Sequence, residues 1–243
     1  MAHKSILDLM VEGNYNPKQG RPIPIELIYQ SNSISYEEYK AEVDRQRRVN
    51  QAGMNAQAIS AEEARADALR DRAIRAGVPR RYLDYAIDLT RIADLNEGRG
   101  VYICGSQGSY KTTTACNMLR GWLSDNPFGM ARFVRSTELL GAFKETFGGR
   151  ESEQDVMGQY AGVGLLVVDD LGKEVASNWA VSRLWELFDR RYGNVLPTIV
   201  TSQHAPGELI RHLGEGDSAA AFAIVSRFRE TYALLDMGGS DHR

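Results

Sequence analysis

The stretch GSQGSYKTTTA, residues 105–115, decides the fold, because it differs by one letter from a phosphate-binding loop. That loop has the pattern G-x-x-x-x-G-K-[ST], in which backbone N–H groups and the positive end of a helix surround phosphate. Lys111 is predicted to contact the β- and γ-phosphates of a nucleotide, and the Thr112 hydroxyl is predicted to hold Mg²⁺. The predicted nucleotide-binding residues are Gly105, Ser106, Gln107, Gly108, Ser109, Tyr110, Lys111, Thr112 and Thr113.

Tyr110 stands where the second glycine of the pattern belongs. Glycine avoids a side chain near phosphate and permits unusual dihedral angles. A tyrosine fits if its ring points out of the loop, at a cost of about 1–2 kcal/mol if φ is positive. A glycine-rich turn that binds no ligand is the alternative, but we expect this loop still to bind nucleotide.

A second stretch, LLVVDDLG at 165–172, is a hydrophobic strand that ends in Asp169 and Asp170. Parallel strands place ligand chemistry at their carboxyl ends, so both acids are predicted to lie beside the loop. Asp169 is predicted to bind Mg²⁺ through water, and Asp170 to orient or deprotonate the attacking water. Two acids could also simply begin a turn, but their pairing with the loop favours the nucleotide site.

From about residue 98 the sequence alternates strands and helices, which predicts an α/β fold with a parallel five-stranded sheet and helices on both faces. The strand after the acid pair ends in TSQ, so Gln203 is placed to contact the γ-phosphate or the water. Ser136 is predicted to cap the helix after the second strand. The predicted strands lie at 100–104, 131–136, 163–170, 197–203 and 231–237.

Residues 1–75 are predicted to form a small helical N-terminal region, and residues 76–243 the nucleotide-binding domain. Two S-x-x-E spacings predict two helices, one from Tyr36 to Ala52 that stops at Gly53 and one that ends before Gly77. The leader before them is turn-rich with scattered apolar residues. So short a region buries little core alone, and its apolar residues are predicted to face another protein.

Composition excludes several classes of protein. A net charge of −3 argues against a bulk electrostatic nucleic-acid binder, and the longest apolar run, 162–168, is too short to span a bilayer. The two cysteines, Cys104 and Cys116, cannot supply a four-ligand zinc site or a disulfide framework. We expect buried reduced thiols, no membrane association and a cytoplasmic protein.

Five stretches resemble, in order and spacing, the AAA+ domain of the DnaC/DnaI helicase loaders and their IstB-type relatives. The likeness covers about residues 75 to 243. It implies an ATPase that uses ATP and Mg²⁺ and loads a replicative helicase onto single-stranded DNA during replication initiation. It also implies an oligomer in which neighbours complete each other's sites. The stretches are AGVPRRYLDYAIDL, LLVVDDLGKE, RRYGNVLPTIVTSQ, IVSRFRE and GGSDHR.

The resemblance assigns roles to three further residues. It implies that Gln203 is a sensor, that Arg227 in SRF is an arginine finger acting on the neighbouring subunit, and that Arg243 is a second sensor. Such a finger stabilises charge on the transferring phosphoryl group. With the acid pair, these are the predicted catalytic residues.

A surface for single-stranded DNA is expected from the family, and AFKETFGGR at 142–150 is its candidate. Lys144, Phe147 and Arg150 combine phosphate attraction with base stacking. The alternative is that Phe143 and Phe147, four residues apart, both belong to the core.

The sequence departs from the family at Tyr110, at Gln203 in place of the usual asparagine, and in lacking N-terminal zinc-binding cysteines. The N-terminal region must therefore bind its partner, predicted to be the replicative helicase, through helices. Two other functions stay open: an IstB-type helper of transposition, and a nucleotide-gated adaptor with little hydrolysis. The identity of the N-terminal partner distinguishes the transposition helper from the helicase loader. Phosphate release distinguishes an ATPase from the adaptor.

Overall fold

A computed structural model describes residues 36–149 and 151–238 of the chain. The chain divides into two compact units, Met1–Ala64 and Arg65–Arg243. This division falls inside the first helix, so the domain boundary after residue 75 stays a prediction.

Helix α1 spans Tyr36–Arg75 without interruption. The prediction of two helices separated at Gly53 is therefore wrong. A glycine in a helix interior costs only about 1 kcal/mol relative to alanine, and the alanine-rich sequence around it continues the helix. The predicted stop at Gly77 is confirmed: φ is 91° there, and its N–H donates to the Ile74 carbonyl in a Schellman-type end.

The second unit contains a five-stranded sheet in the order β2-β3-β4-β1-β5, and every pair of neighbouring strands is parallel. This confirms the predicted α/β fold. The strands are β1 Gly100–Cys104, β2 Ala131–Arg135, β3 Leu165–Leu171, β4 Thr198–Ser202 and β5 Tyr232–Asp236. The helices after α1 are α2 Ile92–Asn96, α3 Lys111–Asp125, α4 Ser136–Glu145, α5 Glu153–Ala161, α6 Asn178–Gly193 and α7 Pro206–Thr231.

Side chains of the central strands alternate between two hydrophobic cores, because successive residues of a strand point to opposite faces. Val101 and Ile103 of β1 pack with α2, α3 and the end of α1, whereas Tyr102 and Cys104 pack with α4 to α7. Cys104 and Cys116 are both buried and free, as expected.

Two further details of the helices are an interruption within α7 and the cap of α4. Helix α7 has a non-helical residue, Asp217 (φ −150°, ψ 106°), which divides it into two helical segments. Ser136 is the first residue of α4, and Arg135 occupies the cap position. The predicted capping role of Ser136 is wrong, because its hydroxyl lies against Asp170 and Glu174.

Strand order places the candidate site. β4 lies between β1 and β3, so the loop after β1, the acids at the end of β3 and the residue after β4 meet at one edge of the sheet. The β3–β4 pairing shifts between Val168 and Leu171, which is a bulge. Bulges next to active sites aim side chains differently from a regular strand.

Candidate nucleotide-binding site

The loop between β1 and α3 surrounds the Lys111 side chain. The Lys111 Nζ donates to the carbonyl oxygens of Gly105 at 2.8 Å and Ser106 at 2.5 Å, and lies 3.3 Å from Ser109 Oγ. Burial lowers the pKa of Lys111, and the charge of Asp170 opposes that shift. The ammonium group thus lies beside the N-terminus of α3, where phosphate is favoured.

Tyr110 is the residue before α3 and adopts the left-handed conformation, with φ 59° and ψ 17°. For a residue with a Cβ atom this conformation costs about 1–2 kcal/mol, and glycine would adopt it without that penalty. The tyrosine is 48% exposed, so its ring lies outside the interior of the loop. The loop keeps a glycine-like backbone despite the substitution.

Asp169 joins the loop helix to the sheet. Its Oδ1 accepts hydrogen bonds from Thr112 Oγ1 at 2.8 Å and from Thr201 Oγ1 at 2.7 Å. The residue is only 2% exposed, and burial raises the pKa of its carboxyl, against the lowering effect of the two hydroxyl groups. The two predicted metal-holding residues, Thr112 and Asp169, are therefore in direct contact.

This pair fits Mg²⁺, which prefers oxygen ligands and usually takes one or two carboxylates together with water and substrate phosphates. Thr112 offers a hydroxyl and Asp169 a carboxylate next to the phosphate loop. Within the described part of the chain, no group of three or more His, Cys, Asp or Glu could hold a metal ion. A metal here would depend on the nucleotide for its remaining ligands.

Asp170 has a partner that the sequence did not predict. Its Oδ2 lies 3.0 Å from Lys173 Nζ, in an ion pair across the turn after β3. Asp170 also has a positive φ of 58°. The predicted water-orienting carboxylate is thus held by a lysine three residues later, which the DDLGK spacing could have indicated.

A cavity of about 380 Å³ is lined by most of the predicted site residues and has in addition an aromatic wall. The wall consists of Arg81, Tyr82 and Tyr85, with the Arg81 guanidinium 4.9 Å from the Tyr82 ring centre. Flat aromatic and guanidinium groups suit the faces of a nucleotide base. These three residues lie in the stretch RRYLDY at 80–85, to which the sequence analysis assigned no role. The rest of the lining is Gln107, Gly108, Ser109, Tyr110, Lys111, Thr112, Thr113, Asp170, Lys173 and Gln203.

Solved structures share this arrangement of strands and helices. The DnaC helicase loader matches with a TM-score of 0.54 and 23% identity, over 65% of this chain and 99% of its own. DnaI matches with 0.55 and 23%, over 68% of this chain and 94% of its own. The replication initiator DnaA bound to AMPPCP and single-stranded DNA matches with 0.52 and 16%, over 65% and 50%. The chain has the AAA+ fold.

No protein-family model matches this sequence, and no curated protein matches it either. The likeness therefore concerns the fold. Among residues 36–149 and 151–238, no helix combines the length and the apolar character needed to cross a membrane.

Arg227, the predicted arginine finger, lies on α7 and is paired within its own chain. Its guanidinium bonds the Asp189 carboxylate of α6 and lies 5.3 Å from the Tyr192 ring centre. The side chains of Arg227 and Asp189 are both partly exposed. Arg243 and Arg150 lie outside the described residues, so their predicted roles stay predictions.

Of the predicted DNA-binding residues, Lys144 in the last turn of α4 and Phe147 just after that helix lie beside Trp179 at the start of α6. The Phe147 ring is 5.7 Å from the Trp179 ring, and Lys144 Nζ is 5.6 Å from the same ring. Phe143 is buried, whereas Phe147 is 69% exposed, so only the first belongs to the core. Helical periodicity predicts that Trp179 faces the core, and it is partly buried there, so its ring contacts both the core and Phe147.

Proposed function

We propose that this protein is an ATP-hydrolysing helicase loader, which places a replicative DNA helicase on single-stranded DNA during replication initiation. The observation that carries the proposal is the bond between Thr112 and Asp169 beneath a phosphate loop of an AAA+ fold. The DnaC structure, a helicase loader, has that fold over nearly its whole length. A nucleotide alone accounts for the residues that line the cavity, without a second substrate such as the phosphate acceptor of a kinase.

ATP would bind with its phosphates at the N-terminus of α3 and its base against Tyr82 and Arg81. Lys111 would then exchange the carbonyl oxygens of its loop for β- and γ-phosphate oxygens. Thr112 and Asp169 would hold Mg²⁺, which neutralises charge on these oxygens. Base stacking at one end and charge pairing at the other fix the nucleotide along the cavity.

Hydrolysis requires Asp170 to face a water molecule in line with the γ-phosphate. In the structure Lys173 holds this carboxylate at 3.0 Å. Lys173 is the more exposed partner, so the pair can open by a rotation of the lysine. Asp170 would then accept the proton of the attacking water, and Gln203 at the end of β4 would contact the γ-phosphate or the water.

Arg227 would complete the site of a neighbouring subunit. In that arrangement its guanidinium leaves Asp189 and binds the transferring phosphoryl group of the neighbour. Self-association would thereby become a condition of turnover. Single-stranded DNA would bind at Lys144, Phe147 and Arg150, where an exposed ring and a cation meet. The helicase would bind the N-terminal region.

The decisive experiment measures phosphate release by the purified protein with ATP and Mg²⁺, with and without single-stranded DNA. We expect slow release that depends on protein concentration. A parallel pull-down tests whether the full chain retains a replicative helicase. Turnover without helicase binding would favour the transposition helper over the loader.

A second function, the nucleotide-gated adaptor, is favoured by the Lys173–Asp170 ion pair and by the strained Tyr110. An adaptor would bind ATP with the same residues and change its partner affinity without turnover. ATP binding with no phosphate release, even at high protein concentration and with DNA, would establish this alternative. The two functions therefore share a binding site and differ at Asp170.

A further inference from the structure

The turn after β3 holds Asp170 in a strained conformation. Its φ of 58° lies in the left-handed region, which costs a non-glycine residue about 1–2 kcal/mol. Such strain persists where surrounding contacts over-determine the backbone, and it is concentrated at functional sites. The residue also lies in the bulge, since β3 has one more residue than β4 between the pairs Val168–Val200 and Leu171–Ser202.

The β4 side of this turn is held by two hydroxyl groups. The Asp170 N–H donates to Thr201 Oγ1 at 2.9 Å, and Ser202 Oγ donates to the Leu171 carbonyl at 2.6 Å. These bonds replace the ladder bonds that the bulge removes. They fix one side of the turn to the sheet.

The opposite side is held by Glu174. Both of its carboxylate oxygens lie 3.1 Å from the Gly172 nitrogen, and its Oε2 lies 2.6 Å from Ser136 Oγ. Ser136 Oγ is also 2.9 Å from the Asp170 carbonyl oxygen. Gly172 has φ 93°, so it needs the freedom of glycine at this point of the turn. Glu174 thus ties the turn to the first residue of α4.

Glu174 is only 7% exposed. Burying a carboxylate costs free energy unless hydrogen bonds satisfy it, and here a backbone amide and a hydroxyl provide them. Its carboxylate contacts the turn that carries Asp170 and does not line the cavity itself. The position suits a residue that acts through another.

We propose that Glu174 is a positioning residue for ATP hydrolysis, an inference that rests on the proposed ATPase function. It fixes the Gly172 amide and the Ser136 hydroxyl, and thereby keeps the strained Asp170 carboxylate in place at the cavity. It has no contact with Lys111 or Thr112 among the hydrogen bonds of the described residues. Glu174 therefore affects turnover and leaves nucleotide binding unchanged.

The test compares Glu174→Ala and Glu174→Gln in the full chain by ATP Kd, kcat and thermal midpoint. Misplacing a catalytic group by about 1 Å costs on the order of 100-fold, so Glu174→Ala should lower kcat by about 10- to 100-fold. Its ATP Kd should stay within about threefold of wild type. Glutamine keeps an acceptor for Gly172 N–H and should recover most of the turnover. Glu138→Ala, at an acid whose side chain is 57% exposed, is the matched control.

Hydrogen exchange at the Gly172 amide gives a readout independent of turnover. Exchange should accelerate in Glu174→Ala and stay slow in Glu174→Gln and Glu138→Ala. Normal turnover by folded Glu174→Ala overturns the proposal, as does equal loss of ATP binding and turnover. A glutamine variant as defective as alanine also overturns it, because the charge would then matter more than the hydrogen bonds. If wild type lacks turnover, the ATPase function fails, and unchanged Gly172 exchange would independently refute the role of Glu174.

Discussion

Thr112 Oγ1 donates a hydrogen bond of 2.8 Å to Asp169 Oδ1, which joins the first turn of α3 to the end of β3. The two residues are separated by 57 positions in sequence. They are the two residues that the sequence predicts to hold Mg²⁺ beside a bound nucleotide. The bond places the phosphate loop and the acid pair in one site.

Lys111→Ala is expected to abolish detectable ATP binding, because Lys111 supplies the positive charge inside the loop. Asp170→Asn is expected to preserve binding and stop turnover, because its carboxylate acts on water and not on the bound phosphates. Equilibrium binding of a fluorescent ATP analogue and phosphate release measure the two effects. Equal loss of binding in both variants would contradict the assigned roles.

Tyr110→Gly is expected to leave ATP binding intact or to tighten it. Glycine adopts the observed φ of 59° without the cost of about 1–2 kcal/mol that a side chain carries. The thermal midpoint should rise or stay unchanged for the same reason. Loss of ATP binding by a folded Tyr110→Gly protein would show that the ring itself contacts the nucleotide.

Arg227→Ala is expected to bind ATP normally and hydrolyse it poorly. If Arg227 acts on the neighbouring subunit, a mixture with Lys111→Ala should recover activity, since each variant supplies the part that the other lacks. Phosphate release is measured across mixing ratios, with co-assembly verified by crosslinking. No recovery in a co-assembled mixture would place Arg227 in its own subunit, as a partner of Asp189.

Phe147→Ala and Trp179→Ala are each expected to weaken binding of single-stranded DNA by about 1–3 kcal/mol, the range for loss of base stacking. Lys144→Ala should reduce the slope of log affinity against log salt by about 1. Fluorescence anisotropy with a labelled oligonucleotide measures both. Phe128→Ala is the control, because Phe128 is an exposed phenylalanine in the α3–β2 turn. A control as defective as Phe147→Ala would argue against this site.

The fragment 65–243 is expected to bind ATP like the full chain and to lose helicase binding. The free energy of unfolding of fragment 76–243 should be lower than that of fragment 65–243 by at least about 2 kcal/mol, because the shorter fragment lacks Arg72. The Arg72 guanidinium donates to the carbonyl oxygens of Leu123, Asn126 and Gly129 at 2.5, 2.7 and 2.9 Å. Denaturant unfolding and helicase pull-downs make the measurements.

Two single changes refine this prediction. Leu9→Asp and Leu27→Asp, which lie outside the described residues, should weaken helicase binding without changing ATP binding. They test whether apolar residues of the leader anchor the partner. Full helicase affinity in the 65–243 fragment would remove the loader mechanism and favour the transposition or adaptor functions.

The sequence by itself determined the class of fold, the five strands and the loop with its acid pair. These depend on local patterns: alternating and continuous apolar runs, a fixed loop spacing, and acids at a strand end. Parallel strands bring such ends together whatever their detailed packing, so Thr112 and Asp169 could be predicted as partners. The left-handed backbone of Tyr110 could be anticipated from the glycine it replaces.

Only the tertiary structure decided the side-chain pairings of Arg227 and Glu174. Each pairing depends on the rotamer that packing selects and on the side chain that packing brings close. Asp189 and Arg227, for example, lie 38 positions apart in sequence. Helix α1 also continues past Gly53, where a stop was predicted, because a glycine cost of about 1 kcal/mol is too small to end a helix. Trp179 lies beside Phe147 because the segment after α4 packs next to the start of α6, which no local period encodes. Local sequence fixes what a segment becomes, and packing between distant segments fixes which side chains meet.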